Sequence, residues 1–399
     1  MSAPLSGRQI VLGVSGSIAS YKAADIASRL VQAGAQVDVA LTPGATEFIA
    51  PLTFRALTGR QPYADIYRDG AKGEAHVELA RRADLMLIAP ASASTMARLA
   101  HGLAEDFVSL TALATTAPVL IAPAMDNQMW EHPATQANRA RLEERGVRFL
   151  GPLSGRLASG RMGAGRLMEP ADIVGHVQAR LGQEHGDLAG RTVVVTAGGT
   201  REAIDPVRFV GNRSSGKMGY ALAEAARDRG AAVVLVTSAG LPPPAGIRIV
   251  PVESAAEMLE AVQAACAGAD ALIMAAAVAD YRPVEAAAQK LKRAGQHTRT
   301  VDLVETVDII ASVKGDLVKV AFAAETQDLL ANAQKKLASK GARLVVANDV
   351  TASDAGFAVD TNRVTIIDAD GGRETLPLML KYDVAWRVLD RVSGLFSPR

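Results

Sequence analysis

The chain has 399 residues, of which 49% are hydrophobic and 21% are charged, and its formal net charge at pH 7 is +1. This length predicts two or three domains with large packed cores, and the near-zero charge argues against a nucleic-acid or membrane-surface partner selected by bulk electrostatics. Because there is a single cysteine, Cys266, an internal disulfide and a thiolate metal cluster are both excluded.

The N-terminal sequence "MSAPLSGRQIVLGV" is too short and too polar before its apolar run to be a signal peptide. No apolar run in the chain approaches the ~20 residues that a membrane-spanning helix requires. We therefore expect a cytoplasmic protein without a membrane partner.

Strand and helix patterns alternate along the first half. A β-branched run at 10–14 leads into a Gly-Ser loop, and apolar residues then recur at helical spacing from Ile18 to Leu30. Four more strands are predicted in this half, at 37–41, 85–90, 119–125 and 147–151. This alternation predicts a parallel sheet covered by helices on both faces.

The polar segment 182–190, "GQEHGDLAG", contains three glycines and is predicted to be a linker. A second strand, loop and helix pattern starts directly after it at "RTVVVTAGG". Five more strands are predicted downstream, at 232–237, 271–278, 318–325, 343–349 and 363–368. We therefore predict an α/β fold with two Rossmann-like open parallel-sheet domains, residues 1–181 and 191–399.

The loop "GVSGSIA" places Gly16 and Ser17 between a strand and a helix, where unpaired N–H groups and the helix dipole favour an anion. The loop is not G-x-G-x-x-G, and the same residue types occur in helix caps that bind nothing. However, Thr42, Ser92 and Met125 also follow predicted strands directly, and the carboxyl ends of parallel strands meet at one edge. Several polar loops at that edge favour a nucleotide-like cofactor.

The segment "GNRSSGKM", 211–218, matches the first seven positions of the phosphate-binding loop G-x-x-x-x-G-K-[ST]. Met218 replaces the hydroxyl residue that binds Mg²⁺, and the preceding strand ends too early, so a Walker-type site is rejected. Five side chains of the segment are donors, namely Asn212, Arg213, Ser214, Ser215 and Lys217. They exceed what a helix cap needs, which favours an anion-binding turn over a plain helix start.

Two sets of motifs carry a resemblance to known families. The first half contains "GVSGSIASYKA", "AHVELARRAD", "APAMDNQMW" and "GRMGAGRLMEP" and resembles the flavin-dependent cysteine decarboxylases. The second half contains "TAGGTREAIDPVRFVGNRSSGKMG", "AAAVADYR", "FAAET" and "VVANDV" and resembles the phosphopantothenate–cysteine ligases. In this order, nearly the whole chain resembles the bifunctional bacterial family of coenzyme A synthesis that fuses the two activities.

For the second half, the resemblance implies activation of the 4′-phosphopantothenate carboxylate by CTP and Mg²⁺, followed by transfer from CMP to L-cysteine. It implies catalytic roles for Asn212, which would hold the acyl-cytidylate, and for Lys290. Substrate contacts are implied for Asp280, Val307, Asp308, Ile309, Ile310, Phe322, Lys336 and Lys340, whereas the Mg²⁺ ligands stay unassigned. From the residues alone, we expect most lysines to lie on solvated helix faces. For Asp280, a helix or turn cap and nucleotide binding are equally compatible with the pattern. For Phe322, packing in the core is favoured.

For the first half, the resemblance implies bound FMN, oxidation of the substrate's thiol to a thioaldehyde and release of carbon dioxide. His76 matches the family's catalytic histidine, although a lone histidine is more often a satisfied surface or core residue. The implied cofactor contacts are Gly16, Ser17, Ile18, Thr42, Ser92, Ser109 and Met125.

Two residues of the first half depart from the family pattern. Asp126 stands where an asparagine usually donates to the substrate's carboxylate, so it is expected to be protonated, to contact an amide, or to be replaced by Asn127. Ser159 stands where many members have a proton-donating cysteine, and a hydroxyl releases its proton less readily than a thiol. Glycines 160, 163 and 165 around it match a mobile lid.

These departures leave open an alternative in which the first half only binds flavin. An NAD(P)-dependent oxidoreductase is a second alternative, which the missing G-x-G-x-x-G loops disfavour. The resemblance implies small-molecule substrates without nucleic acid. It also implies a homo-oligomer, a dodecamer in which the first half forms trimers and the second half forms dimers.

Overall fold

The structure, a computed structural model, divides the chain into two compact units. It describes residues 3–67, 74–292, 299–325, 337, 339–349 and 359–396. The N-terminal unit runs from Ala3 to Leu181, and the C-terminal unit runs from Gly182 to Arg399. Within the described ranges, no helix is both long enough and apolar enough to cross a lipid bilayer.

The N-terminal unit alternates strands and helices, as its apolar runs predict. Its strands are β1 (Gln9–Val14), β2 (Gln36–Leu41), β3 (Leu85–Ala91), β4 (Val119–Pro123), β5 (Arg148–Phe149), β6 (Leu153–Arg156) and β7 (Met162–Arg166). Its helices are α1 (Tyr21–Gln32), α2 (Pro43–Thr46), α3 (Pro51–Thr58), α4 (Ala75–Arg82), α5 (Ala93–His101), α6 (Phe107–Ala114), α7 (Asn127–Glu131) and α8 (Pro133–Glu144). Helix α9 (Pro170–His185) begins in this unit.

Five of these strands form a parallel sheet in the order β2-β1-β3-β4-β5. In β1, Leu12 packs in the core on one face of the sheet, and its neighbour Val11 packs in the core on the other. This burial on both faces explains why the strands are continuous apolar runs rather than alternating ones. The chain order reverses between β1 and β3, which is where ligands bind in open α/β sheets.

The C-terminal unit repeats the architecture with more strands. They are β8 (Thr192–Ala197), β9 (Arg201–Ala203), β10 (Phe209–Gly211), β11 (Ala232–Thr237), β12 (Arg248–Pro251), β13 (Ala271–Met274), β14 (Tyr281–Pro283), β15 (Leu303–Glu305), β16 (Val318–Glu325), β17 (Leu344–Asp349), β18 (Thr361–Asn362), β19 (Val364–Asp368), β20 (Arg373–Thr375) and β21 (Met379–Leu380). Its described helices are α10 (Lys217–Asp228), α11 (Ala255–Cys266), α12 (Ile309–Ser312) and α13 (Lys381–Ser393).

Its main sheet has the order β12-β11-β8-β13-β16-β17-β19-β20. The first six strands are parallel, so the predicted Rossmann-like fold class is confirmed in this unit as in the other. Strands β19 and β20 are antiparallel additions at one edge; the sequence predicted the strand β19 but not its antiparallel pairing, nor β20. The connection between them is far too short for the crossover that a parallel pair needs.

The predicted linker at 182–190 is wrong in its first four residues, because α9 continues to His185. Its glycines have a packing reason. A Cβ atom on Gly182 would lie 2.5 Å from the carbonyl oxygen of Asp228, and one on Gly186 would lie 2.0 Å from that of Arg229. From composition alone, such glycines predict a flexible linker. Here they permit close contact between backbones.

Helix α10 ends in a buried charged cluster that attaches it to α13. The Asp228 carboxylate is 5% exposed and accepts hydrogen bonds from Arg227 Nε at 2.8 Å and from Tyr382 Oη at 2.6 Å. Burial raises the pKa of Asp228, and the Arg227 guanidinium opposes that shift. Burial and the neighbouring carboxylate also raise the pKa of Tyr382, so its phenol stays protonated as the donor.

Substituting Tyr382→Phe is expected to lower the free energy of unfolding of the C-terminal unit by about 1–3 kcal/mol, because a buried carboxylate loses a donor. Differential scanning calorimetry of the full chain measures the loss as a lower melting temperature of one transition. Tyr281→Phe is the matched control, since that tyrosine is 49% exposed. Equal melting temperatures for the two variants would contradict a stabilising role for this bond.

Candidate active sites

The loops after β1 and β3 are joined at the point where the strand order reverses. Ser15 is fully buried; its Oγ donates to the carbonyl oxygen of Pro90 at 2.9 Å and accepts from the backbone N–H of Ser92 at 2.8 Å. Ser15 therefore has a structural role, and it fixes the half-exposed Ser17 and Ser92 at the carboxyl edge of the sheet.

Backbones approach closely where β1 and β2 end. A Cβ atom on Gly16 would lie 2.7 Å from the carbonyl carbon and oxygen of Gly44, so only glycine is accepted there. Thr42 caps α2, its Oγ1 accepting from the N–H of Ala45 at 3.3 Å. Backbone atoms therefore line this edge of the sheet, and Ser17 lies beside them.

Six of the seven predicted cofactor contacts follow the carboxyl ends of β1 to β4 and share this edge, namely Gly16, Ser17, Ile18, Thr42, Ser92 and Met125. The seventh, Ser109, lies in the first turn of α6. It forms a capping box with Asp106 at the start of α6. It also lines a separate cavity of about 390 Å³ with Pro118 and Val147, near the amino ends of β4 and β5.

The predicted lid segment is the hairpin β6–β7, which lies on residues 125–127. The N–H of Met125 donates to the carbonyl oxygen of Gly165 at 3.0 Å. Cβ atoms on Gly165 and Gly163 would lie 2.2 Å from the Met125 carbonyl oxygen and 2.8 Å from Asn127 Cβ, respectively. Both glycines therefore permit packing of the hairpin, while Gly160 forms its turn with a φ of 81°.

The two residues that depart from the family pattern contact each other. Ser159 Oγ donates to Asp126 Oδ2 at 2.7 Å, the N–H of Gln128 donates to Oδ1 at 3.1 Å, and Arg161 lies 3.9 Å from Oδ1. The hydrogen bond from Ser159, followed by those two groups, lowers the pKa of Asp126. Asp126 is therefore ionised and contacts a backbone amide, so the protonated alternative is disfavoured. The alternative in which Asn127 takes its place stays a prediction.

His76 lies in the first turn of α4 and is half-buried. Because α4 leads back to the start of the parallel strand β3, its first turn points toward the carboxyl edge of the sheet. This position is on the same side as Ser17 and Asp126.

The C-terminal unit contains a cavity of about 820 Å³ between the phosphate-loop-like segment and the ends of β13 and β16. Eight predicted residues line it, namely Asn212, Asp280, Val307, Asp308, Ile309, Ile310, Phe322 and Lys340. Four lining residues, Asn348, Asn362, Lys217 and Lys381, were not among the predicted substrate contacts. The cavity thus unites segments that are more than a hundred residues apart in sequence.

The segment 211–218 is joined to a neighbouring loop by a hydrogen bond from one of its side chains. Asn212 Nδ2 donates to the carbonyl oxygen of Val278 at 2.9 Å, which joins this segment to the loop after β13. The N-cap residue of helix α10 is Gly216, whose φ is 80° and which makes no side-chain cap bond. Ser214 and Ser215 accept long hydrogen bonds from the N–H groups of Gly216 and Lys217, at 3.4 and 3.5 Å respectively. These residues therefore cap the helix poorly, which disfavours a plain capping role for the segment.

The turn 307–310 presents different atoms to the cavity at each position. Asp308 caps α12 through the N–H of Ala311 and lies 3.5 Å from Lys340 Nζ. The side chains of Ile309 and Ile310 are only 3% exposed and belong to the core. Phe322 both packs against the core and lines the cavity, so its two predicted roles are compatible.

Lys290 is exposed and lies outside the cavity lining, and Lys336 lies outside the described residues. The Lys290 loop is anchored at its neighbour Leu291. Its N–H donates to Asp205 Oδ2 at 3.1 Å, and its carbonyl oxygen accepts from Arg208 at 2.7 Å. Nothing in the local sequence around Asp205 can show a partner 86 residues away. This anchor was missed for that reason.

The described residues contain no cluster of three or more His, Cys, Asp or Glu side chains suited to a metal ion. Asp280 and Glu305 do line the cavity. Mg²⁺ in nucleotide sites usually takes one or two carboxylates plus substrate phosphates, and this set is compatible with such binding.

Comparison with known proteins gives one result for each unit. The Flavoprotein family model matches residues 1–182, and the model of the DNA/pantothenate metabolism flavoprotein C-terminal domain matches residues 188–395. The coenzyme A biosynthesis bifunctional protein CoaBC of Bacillus subtilis (strain 168) is 46% identical over 398 residues, which cover 98% of each chain.

The protein of the same name from Mycobacterium tuberculosis (strain ATCC 25618 / H37Rv) is 43% identical over 403 residues, covering 96% of each chain. Among solved structures, the C-terminal domain of a coenzyme A biosynthesis bifunctional protein CoaBC is 40% identical. It covers 53% of this chain and 98% of that one, with a TM-score of 0.46.

Substituting Asp205→Asn is expected to speed tryptic cleavage after Lys290 and Lys292 about tenfold or more. The buried carboxylate that anchors Leu291 is lost, which lowers the free energy of opening the loop by about 1–3 kcal/mol. Timed digestion with mass spectrometry of the peptides measures the change. Cleavage after the exposed Lys314 is the internal control; equal acceleration there would indicate general unfolding and contradict the anchor.

Proposed function

The chain belongs to the family of coenzyme A biosynthesis bifunctional proteins, and from this we infer that its two units catalyse successive steps of that pathway. The C-terminal unit is a ligase and the N-terminal unit a decarboxylase. We propose 4′-phosphopantothenate, L-cysteine and CTP as the substrates and 4′-phosphopantetheine as the product. The observation that carries the proposal is the cavity in which eight predicted residues meet.

In the ligase, the carboxylate of 4′-phosphopantothenate must be converted into an electrophile. Joining this carboxylate to a nucleotide phosphate achieves the conversion. Two anionic substrates must approach each other, so cations are needed near the reacting groups. Lys217 and Lys340 lie on the cavity wall, and Asp308 positions Lys340. Asn212 is fixed at the end of the loop by its bond to Val278 and is proposed to hold the acyl-cytidylate. Mg²⁺ is proposed to enter on the triphosphate of CTP.

In the decarboxylase, the carboxyl edge of the sheet is compatible with FMN. Backbone lies against backbone at Gly16 and Gly44, which leaves room for a planar ring or a phosphate beside Ser17 and Thr42. FMN would supply the electron transfer that turns the substrate's thiol carbon into an electron sink for decarboxylation. The half-buried His76 is proposed to move a proton at the same edge.

Asp126 and Ser159 act as a pair in this proposal. The ionised carboxylate repels the substrate's own carboxylate, so Arg161, which is 3.9 Å away, is the cation proposed to attract it. Ser159 donates a hydrogen bond to Asp126 at 2.7 Å. Because of this bond, we expect slow protonation of the final product. A first unit that only binds flavin therefore remains the alternative function.

The proposal includes a cytoplasmic location and a homo-oligomer, in which trimers of the decarboxylase and dimers of the ligase build a dodecamer. A coupled assay with 4′-phosphopantothenate, L-cysteine and CTP, which follows CMP and carbon dioxide, tests both activities at once. CMP release without carbon dioxide from a yellow protein would favour a first unit that only binds flavin.

Substituting Asn212→Asp or Lys290→Gln is expected to slow cysteine-dependent CMP release about 100-fold or more, because each removes a donor that stabilises developing negative charge. Lys292→Gln in the same loop is the control and is expected to keep the activity. Wild-type rates in either active-site variant would show that the site is misplaced.

Substituting Ser159→Cys is expected to speed the formation of 4′-phosphopantetheine, by up to about 100-fold if protonation limits turnover. The reason is that a thiol, with a pKa of about 8.5, releases a proton far more readily than a hydroxyl. Ser154→Cys, in the same hairpin, controls for the presence of a new thiol. Unchanged product formation in the Ser159 variant would mean that another group supplies the proton.

A further inference from the structure

One continuous segment, residues 274–281, forms a large part of the wall of the ligase cavity. It connects the end of β13 to the start of β14. A connecting loop of this kind holds one conformation only where its backbone N–H and carbonyl groups have partners. The side chains that supply those partners therefore decide where the cavity wall lies.

The first part of this segment is held by β8 and the loop that follows it. Thr196 Oγ1 accepts from the N–H of Ala276 at 3.1 Å. Beyond the strand ends, Gly199 still bridges Ala277, whose N–H donates to the carbonyl oxygen of Gly198 at 2.8 Å. The parallel pairing of β8 with β13 thus continues past both strands.

Thr200 makes the last contact of this series. The residue is fully buried and lies outside the cavity lining, and its Oγ1 accepts from the N–H of Ala279 at 2.9 Å. The next residue, Arg201, already turns away, because its N–H donates to the carbonyl oxygen of Glu253 at 2.9 Å. The hydroxyl of Thr200 therefore takes the place that a backbone carbonyl would have in a longer ladder.

The other side of the same loop is held by Thr306. Its Oγ1 donates to the carbonyl oxygen of Ala279 at 2.6 Å, and its N–H donates to the carbonyl oxygen of Asp280 at 2.9 Å. Ala279 is thus held through its N–H and its carbonyl group, and Asp280 through its carbonyl group. The backbone of Asp280 is fixed in this way, while the residue stays exposed on the cavity wall.

We propose that Thr200 is a positioning residue of the ligase, whose buried hydroxyl fixes the place of the Asp280 carboxylate for the binding of CTP. A carboxylate accepts hydrogen bonds, so the groups that it fits on a nucleotide are hydroxyl and amino donors. Without the Thr200 hydroxyl, the N–H of Ala279 would lose its acceptor inside the protein, and the loop would leave this conformation to regain one. The inference rests on the proposed function, which makes CTP a ligand of this cavity.

Steady-state release of CMP by the full chain tests this role, with 4′-phosphopantothenate, L-cysteine and Mg²⁺ at saturation. Thr200→Val, which keeps the shape of the side chain, is expected to raise KM for CTP about tenfold. The kcat at saturating CTP is expected to stay within about twofold of the wild type, because the lost contact serves binding. A threonine that served stability alone would lower the amount of folded enzyme and the rate at saturation, and KM would not change.

Two further variants make this reading specific. Thr200→Ser keeps the hydroxyl and is expected to keep the wild-type KM for CTP. Thr237→Val is the matched control, because Thr237 is buried, its Oγ1 accepts from the N–H of Ala239 at 3.0 Å, and both residues lie outside the cavity lining. It is expected to lower the melting temperature without a change in KM. Should Thr200→Val fail to fold, Thr306→Val removes the bond on the other side of Ala279 and is expected to raise KM for CTP in its place.

The outcomes separate the inference from the proposed function. An unchanged KM for CTP in the folded Thr200→Val enzyme, or in the Thr306→Val enzyme that replaces it, would overturn the positioning role and leave the proposed function intact. An equal rise of KM in the Thr200→Ser or Thr237→Val enzyme would overturn it as well. Wild-type protein that releases no CMP in a cysteine-dependent reaction would overturn the proposed function, and the inference with it.

Discussion

Helix α10 lies directly on the end of β8, and the ligase cavity depends on that contact. A Cβ atom on Gly219 would lie 2.5 Å from Ala197 Cβ and 2.6 Å from the carbonyl oxygen of Thr196. Any side chain at residue 219 would therefore push the helix outward. Segment 211–217 would move with it, because it leads into the helix, and Asn212 would lose its bond to the loop after β13.

The same constraint operates in the N-terminal unit, although the two units share no repeat at the level of residues. Gly16 meets Gly44 where β1 and β2 end, and the Ser15–Ser92 bond joins the loops on the other side of β1. In both units the polar loops gather where the strand order reverses. A side chain at Gly16 or Gly219 would collide with neighbouring protein atoms, so glycine lets the polar loops stay at this edge.

The sequence predicts those features that local patterns determine. Continuous apolar runs predict the buried parallel strands, and Thr42 follows from the end of a predicted strand, whereas Asp280 was found by resemblance. Contacts between distant segments are different, because nothing local marks them. Asp205 looks like a simple turn residue, yet it anchors Leu291. Likewise, Lys381 reaches the cavity only because β21 pairs with β18. The glycines at 182 and 186 resemble a linker until their backbone contacts are known.

Met218 explains why this cavity differs from the phosphate loop that its sequence resembles. In such a loop the residue at this position contributes a hydroxyl to Mg²⁺. Here the methionine side chain packs against the core, and its sulfur lies 3.9 Å from Asn362 Nδ2. This contact joins the start of α10 to β18, 144 residues further along the chain. The residue that cannot bind a metal thus fixes the position of the helix that follows the loop.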